Sequence, residues 1–131
     1  MFKNFVLGLI ATVALSISSV ASANPATYGN WGVTQKQNGF TFTMIVSISA
    51  MQTAFGAKCE YQGQSVIVSA TVPSEVTDTQ LILKGSGQDS KKIGNLDCSV
   101  NVHPMTFDYQ LSGNVLTLST NGETVAFTRL N

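Results

Sequence analysis

Apolar and polar residues alternate along most of the chain from residue 40 onward. A period of two places successive side chains on opposite faces of a strand, so it predicts half-buried β-strands. The clearest runs are 40–48, 66–72, 96–102 and 105–111. Shorter candidate strands lie at 31–36, 57–62 and 79–84. No stretch in this region repeats its apolar residues at helical spacing, and the sequence therefore predicts an all-β domain.

Residues typical of turns separate the predicted strands. They are Gln37-Asn38-Gly39, Gln62-Gly63-Gln64, Pro73-Ser74 and His103-Pro104. Gly and Asn accept positive φ angles, and Pro fixes its own φ, which favours chain reversal. Residues 50–56 are compatible with one helical turn. The segment 85–95 is polar and rich in glycine, which predicts a long mobile loop.

The last third of the chain allows a strand register to be derived. We take Gly113-Asn114 and Asn121-Gly122 as two-residue hairpin turns. The resulting pairs are Leu111 with Leu116, Tyr109 with Leu118, Leu118 with Val125, and Leu116 with Phe127. Both turns place one apolar set on a single face: Phe107, Tyr109, Leu111, Leu116, Leu118, Val125 and Phe127. Because a slip of one residue would reverse the faces, this agreement predicts a three-stranded meander, with Arg129 pointing inward as well.

Residues 1–23 have the pattern of an export signal. Lys3 provides a basic start, residues 5–20 are apolar or small, and Ala21-Ser22-Ala23 forms a cleavage site before Asn24. We therefore expect one mature domain over 24–131, in the periplasm or secreted. The alternative is a transmembrane anchor, for which the apolar stretch is short. No later run is apolar enough to span a bilayer.

Charge and composition narrow the classes of partner. The chain has seven basic and seven acidic residues, and removal of Lys3 with the signal leaves a net charge of −1. Nucleic-acid binding requires a basic face, whereas here only Lys91 and Lys92 are adjacent. No basic amphipathic helix indicates binding to a membrane surface. We therefore expect no nucleic-acid partner and no membrane span after cleavage.

Cys59 and Cys98 are the two cysteines of the chain. In an exported protein such a pair predicts a structural disulfide, because the compartment is oxidising. Redox pairs usually have C-x-x-C spacing, and two thiols alone make a poor zinc site. On chain-entropy grounds the bond would stabilise the fold by about 4 kcal/mol.

No arrangement of residues indicates catalysis. His103 is the sole histidine, and a hydrolase triad would have to use it. Among the carboxylates, Asp108 falls on the outer face, while Glu60 and Asp97 flank the cysteines and are more typical of solvated surface groups. Gly85-Ser86-Gly87 lacks the helix that a phosphate-binding loop needs. We therefore predict a protein that is not an enzyme and has no cofactor or metal.

Gly29, Trp31 and Arg129 together carry a family resemblance. The G-x-W motif at the start of the mature domain, with an inward Arg on the last strand, resembles the lipocalin-like (calycin) proteins. The run Tyr109 to Leu118 also looks like the penultimate hairpin of META-type domains. This resemblance implies an antiparallel up-and-down barrel of about eight strands, with Arg129 packed across Trp31 at a closed end. The competing fold is an immunoglobulin-type β-sandwich, although its Trp would lie between the two cysteines.

Two classes of function fit these expectations. The first is a lipocalin-like domain that binds a small apolar ligand in the barrel or at its mouth. Its lining residues would be Phe40, Phe42, Met44, Phe107, Tyr109 and Phe127. The alternative is a protein-contact module with a filled core, such as an inhibitor or an envelope assembly or stress factor. It would use exposed loops, with Phe55 in segment 51–57 and segment 85–95 as candidates.

Overall fold

The computed structural model describes residues 4–5 and 25–130, and these residues form β-strands almost throughout. A 3₁₀ turn at Pro25–Thr27 precedes the main run of strands. The strands are β1 Asn4–Phe5, β2 Gly29–Gln37, β3 Phe40–Ile48, β4 Gln52–Tyr61, β5 Gln64–Val76, β6 Gln80–Leu83, β7 Gly87–Ile93, β8 Leu96–Val102, β9 Met105–Ser112, β10 Val115–Thr120 and β11 Glu123–Leu130. In this part of the chain no helix is long and apolar enough to cross a membrane. The predicted signal and its cleavage site lie, except for residues 4–5, outside the described residues.

Eight strands close into one antiparallel barrel, in the order β2-β3-β4-β5-β6-β9-β10-β11 and back to β2. Neighbours in the barrel follow one another along the chain, apart from the insertion of β7 and β8. The predicted up-and-down barrel is therefore confirmed, and the sandwich alternative is wrong. The predicted register is also confirmed, since Leu111 pairs with Leu116, and Leu118 pairs with both Tyr109 and Val125.

Tight turns join the barrel strands where the sequence predicts them. Asn38, Gln62 and Asn121 have φ angles of 52°, 50° and 50°, and each precedes a glycine with positive φ. Two consecutive positive φ angles define the type I′ turn, whose twist matches that of the flanking strands. Through these turns the chain passes from one barrel strand to the next, and the alternation of inward and outward side chains continues on both strands.

Two predicted breaks in the strand pattern are wrong. Residues 50–56 do not form a helical turn, because β4 begins at Gln52. Phe55 of segment 51–57 is not an exposed contact residue, because it faces the core with 1% of its surface exposed. Pro73-Ser74 is not a turn either. Pro73 pairs with Gln52 at the end of the β4 ladder, and the β6 ladder begins at the next residue. A residue without an N–H is tolerated where a strand changes partners.

Segment 85–95 contains β7 and the turn to β8, the first part of a β-hairpin over residues 87–102, so the predicted loop is wrong. Strands β7 and β8 pair with each other outside the barrel ladder, and the two residues of β1 pair in parallel with β8. The disulfide between Cys59 of β4 and Cys98 of β8 joins the hairpin to the barrel, with a Cα–Cα distance of 6.1 Å. The predicted disulfide is thus present, and it fits an oxidising compartment.

The two ends of the barrel differ in how they are covered. We call the end that contains Trp31 the Trp31 end, where the turns 48–52, 76–80 and 112–115 lie. The turns 37–40, 61–64 and 120–123 lie at the opposite end, which we call the mouth end.

The hairpin β7–β8 turns its apolar residues inward, with Ile93, Val100 and Val102 all buried. Inward side chains of the barrel and the hairpin form one continuous core.

Candidate functional site

An apolar cleft opens into the barrel at the mouth end, beside the turn between β10 and β11. Its volume is about 80 Å³. The residues that line this mouth cleft are Met44, Phe55, Phe107, Leu118, Thr120, Glu123, Val125 and Phe127. They come from β3, β4, β9, β10 and β11, so the cleft is the unfilled part of the barrel interior and not a groove on its surface.

The lining residues define a floor and a rim. Phe55 and Phe107 are buried deep in the barrel, with their ring centroids 6.5 Å apart in a tilted arrangement. Thr120, Glu123 and Val125 are partly or largely exposed and surround the opening. The cleft can therefore receive an apolar group from solvent and surround it with aromatic and aliphatic carbon.

The barrel wall is incomplete next to this opening. Strands β11 and β2 share three residue pairs, all near the Trp31 end, of which the central one joins Arg129 and Trp31. Towards the mouth end, residues 33–37 of β2 pair with β3, and residues 123–127 of β11 pair with β10. No pair joins these two described segments to each other. We call this interval between 33–37 and 123–127 the seam.

The six residues predicted to bind an apolar ligand occupy four different environments. Met44, Phe107 and Phe127 line the mouth cleft. Phe42 is opposite Cys59 in the β3–β4 ladder and is buried beside the disulfide that joins the hairpin to the barrel. Phe40 packs its ring against that of Tyr61. Tyr109 lies towards the Trp31 end, where its hydroxyl donates a hydrogen bond to the carbonyl oxygen of Thr77. The structure thus brings three of the six together.

Five lining residues are absent from that predicted set. Leu118 and Val125 belong to the predicted inward face, and their place beside the opening follows from the barrel order. Phe55 could be found from the alternation of Thr53, Phe55, Ala57 and Cys59, which continues through the segment interpreted as a helical turn. Thr120 and Glu123 flank an Asn-Gly turn, and nothing in the sequence shows that this turn borders an opening.

At the Trp31 end, the predicted contact between Arg129 and Trp31 is present. The guanidinium carbon of Arg129 lies 4.2 Å from the centroid of the Trp31 ring. Arg129 also donates hydrogen bonds to the carbonyl oxygens of Tyr28 and Ala26, at 3.2 and 2.6 Å. The indole N–H of Trp31 donates to the carbonyl oxygen of Thr27 at 2.9 Å. These bonds hold the chain before β2 across the barrel and close this end.

The residues considered for catalysis lie apart from the mouth cleft. His103 lies half-buried between β8 and β9. Asp97 forms an ion pair with Lys92 at 3.1 Å, and Asp108 accepts a hydrogen bond from the side-chain amide of Gln80 at 3.2 Å. Within the described ranges, no group of three or more His, Cys, Asp or Glu residues could hold a metal ion.

Comparison with known proteins gives no relative from which a function could be transferred. No protein family matches the chain, and no curated protein or solved structure is significantly similar to it. The function is therefore inferred from the geometry of the barrel and its mouth cleft.

Proposed function

We propose that the protein is an exported, non-catalytic binding domain of the lipocalin-like type, which takes a small apolar ligand at the mouth of its barrel. The observation that carries this proposal is the mouth cleft, an apolar pocket that connects the barrel interior with solvent. Ligand sites in proteins are typically concave and mostly apolar, with a small number of polar groups. The cleft has this composition, with Thr120 and Glu123 as its polar residues.

The volume of the cleft limits what it can hold. About 80 Å³ is well below the roughly 300–1,000 Å³ of pockets that enclose drug-sized ligands. An engineered cavity of about 150 Å³ is large enough for benzene. The mouth cleft therefore accommodates the last few carbon atoms of an alkyl chain or a small apolar group. The remainder of a larger ligand would lie outside, against the rim.

The Trp31 end supports the lipocalin-like part of the proposal. A G-x-W motif on the first barrel strand and an Arg from the last strand meet at one closed end of an eight-stranded barrel, as the resemblance implies. Export is supported by the signal pattern of residues 1–23 and by the disulfide. Among the described residues, the closed Trp31 end and the apolar opening at the mouth end favour entry of a ligand at the mouth end.

The proposal can be tested with 1-octanol as a neutral probe and methionine methyl NMR as the readout. Met44 lines the cleft, whereas Met51 is 79% exposed at the Trp31 end and Met105 is buried outside the cleft. We expect 1-octanol to shift the Met44 methyl signal in a saturable manner and to leave the Met51 signal unchanged. Equal, non-saturating shifts at both methyls would contradict the proposal.

A pair of valines on one hairpin provides a matched mutational test. Val125 and Val115 are 38% and 39% exposed, but only Val125 is among the residues that line the cleft. Val125→Trp should fill the opening and raise the dissociation constant for 1-octanol by about tenfold or more, since apolar burial of the probe is lost. Val115→Trp should leave it unchanged. Equal effects of the two substitutions would assign the binding to another part of the protein.

A protein contact at the Trp31 end is the second candidate function. Met51 lies in the turn between β3 and β4 and exposes 79% of its surface, the largest exposure among the large apolar side chains described. Binding residues are concentrated on loops that a rigid scaffold positions, and this turn is such a loop. If this is the function, Met51→Gln should abolish capture of a specific partner from a periplasmic extract, whereas Val125→Trp should not. Loss of capture in the second variant alone would reject this candidate.

A further inference from the structure

Among the described residues that line the mouth cleft, Glu123 is the one with a charged side chain. The other seven lining residues are uncharged, and six of them are apolar. Glu123 shares the parity of Val125 and Phe127 along β11, so its side chain belongs to the inward row and not to the outer row of Thr124 and Ala126. It lies where the polar end of a partly inserted ligand would emerge.

The charge of Glu123 is available to a ligand. The two ion pairs found among the described residues join Lys84 with Glu75, and Lys92 with Asp97. Within the described ranges no hydrogen bond or ion pair uses the Glu123 carboxylate. Opposite Glu123 in the ladder is Thr120, whose hydroxyl is a neutral donor and acceptor. Among the described residues, the rim therefore presents a carboxylate that forms no ion pair, beside a hydroxyl group.

We propose that the mouth cleft selects amphiphiles with a short apolar end and a cationic head group, such as primary alkylamines. This inference rests on the proposed binding function and specifies its ligand class. The apolar end would occupy the space between Phe55, Phe107 and Phe127. The ammonium group would lie at the rim, where the Glu123 carboxylate accepts its hydrogen bonds. An alkyl carboxylate of equal length would bring a like charge to the same place and would bind more weakly.

The size of this preference follows from the exposure of the site. Glu123 is exposed to solvent, and ion pairs at exposed positions contribute little because water and salt screen them. Attraction for the amine and repulsion of the carboxylate together should separate their dissociation constants by about three- to tenfold at low salt. The difference between the two dissociation constants should become smaller as the ionic strength rises, because the Debye length then falls to a few ångströms and salt screens the charge of Glu123.

The test compares octylammonium, 1-octanol and octanoate, which share one chain and differ in head group. Dissociation constants are measured from the Met44 methyl shift at about 0.02 M and about 0.5 M salt, where the Debye lengths differ several-fold. We expect the order octylammonium, 1-octanol, octanoate from tightest to weakest at low salt. Glu123→Gln should make the three constants nearly equal. The matched control is Glu60→Gln, which removes the same charge at the mouth end but outside the lining of the cleft.

The possible outcomes separate this inference from the proposed function. Equal dissociation constants for the three probes in the wild-type protein would overturn the preference for cations, as would an equal change of these constants in both Gln variants. In either case, saturable binding of 1-octanol would still support the proposed function. The absence of a saturable Met44 shift with any probe would overturn both. A preference that Glu123→Gln removes and Glu60→Gln retains would establish Glu123 as the residue that determines head-group specificity.

Discussion

At the residue scale, the Trp31 end shows why three distant residues form one motif. Gly29 has a φ of 122°, a conformation that side chains with a Cβ rarely adopt. A Cβ on Gly29 would also lie 3.1 Å from a terminal nitrogen of Arg129. Glycine is thus favoured by the backbone conformation, and a Cβ there would displace the guanidinium that covers the ring of Trp31 by a few tenths of an ångström. The spacing in G-x-W follows from this arrangement, because both residues must face the same Arg.

Removal of the Arg129 side chain should destabilise the closed end. Arg129→Ala eliminates the cation–π contact and two charged hydrogen bonds to carbonyl oxygens, and should lower the free energy of unfolding by about 1–3 kcal/mol. Urea unfolding followed by the fluorescence of Trp31, the single tryptophan, measures this loss. Arg129→Lys should show an intermediate loss, because an ammonium group cannot make the same forked contacts. A change below about 0.5 kcal/mol for Ala would contradict the role given to this contact.

At the element scale, the sequence predicts strands well where alternate residues enter one core. Strand β3 appears where alternation predicts it, and β9, β10 and β11 appear with the predicted pairs, because inward apolar residues dominate these strands. Strand β7 has no such row. Its inward positions include Gly87, where a Cβ would lie 3.1 Å from that of Ala70, and Asp89, whose carboxylate accepts the N–H of Ser69. Strand β7 therefore contacts β5 through a glycine and through a carboxylate that accepts a backbone N–H of β5. These residues do not produce the apolar alternation from which a strand is predicted.

The alternation of inward and outward residues also determines how far the candidate site was predictable. Inward parity alone assigns Met44, Phe107 and Phe127 to the barrel interior, as it does Phe40, Phe42 and Tyr109. Phe42 is covered because the disulfide holds the β7–β8 hairpin beside it, and the polar sequence of β7 does not reveal that it forms a hairpin. The residues of the site were therefore predictable as a class, whereas the position of the opening was not.

Removal of the disulfide should release the β7–β8 hairpin. Cys59 and Cys98 are both fully buried and close a loop with a sequence separation of 39 residues. The double variant Cys59→Ala/Cys98→Ala should lose about 4 kcal/mol of stability by the chain-entropy estimate. Native-state hydrogen exchange should show the amides of β7 and β8 losing more protection than those of β10 and β11, which serve as the internal control. Uniform loss of protection across all four strands would show that the hairpin does not open separately.

At the scale of the whole molecule, the barrel is closed firmly at one end and weakly at the other. The Trp31 end combines the three β2–β11 pairs with the hydrogen bonds of Arg129 and Trp31. Beyond Gly32 the two strands separate along the seam, next to the rim formed by Val125 and Glu123. Unpaired strand edges leave backbone groups to water and have low local stability. The wall of the cleft that borders the seam is consequently the part best able to move outward.

This asymmetry predicts that the seam controls how much of a ligand the cleft admits. Continuation of the β2–β11 register would place Thr34 opposite Ala126, so a disulfide in Thr34→Cys/Ala126→Cys would fasten the seam. The fastened protein should bind 1-octanol about tenfold more weakly, because the wider conformation is removed from the population. Mild reduction should restore binding, since the new bond is exposed whereas that of Cys59 and Cys98 is buried.

The matched control for the fastened seam shares one of its two positions. Thr117 and Ala126 already pair in the β10–β11 ladder, so Thr117→Cys/Ala126→Cys adds a cross-link without fastening the seam. This variant should bind 1-octanol as the wild type does. Equal weakening in both variants would assign the effect to the substitution of Ala126, and unchanged binding in the fastened protein would show that the cleft admits its ligand without movement of β11. Weakening confined to the seam variant would mean that the cleft widens along the seam when it takes up 1-octanol.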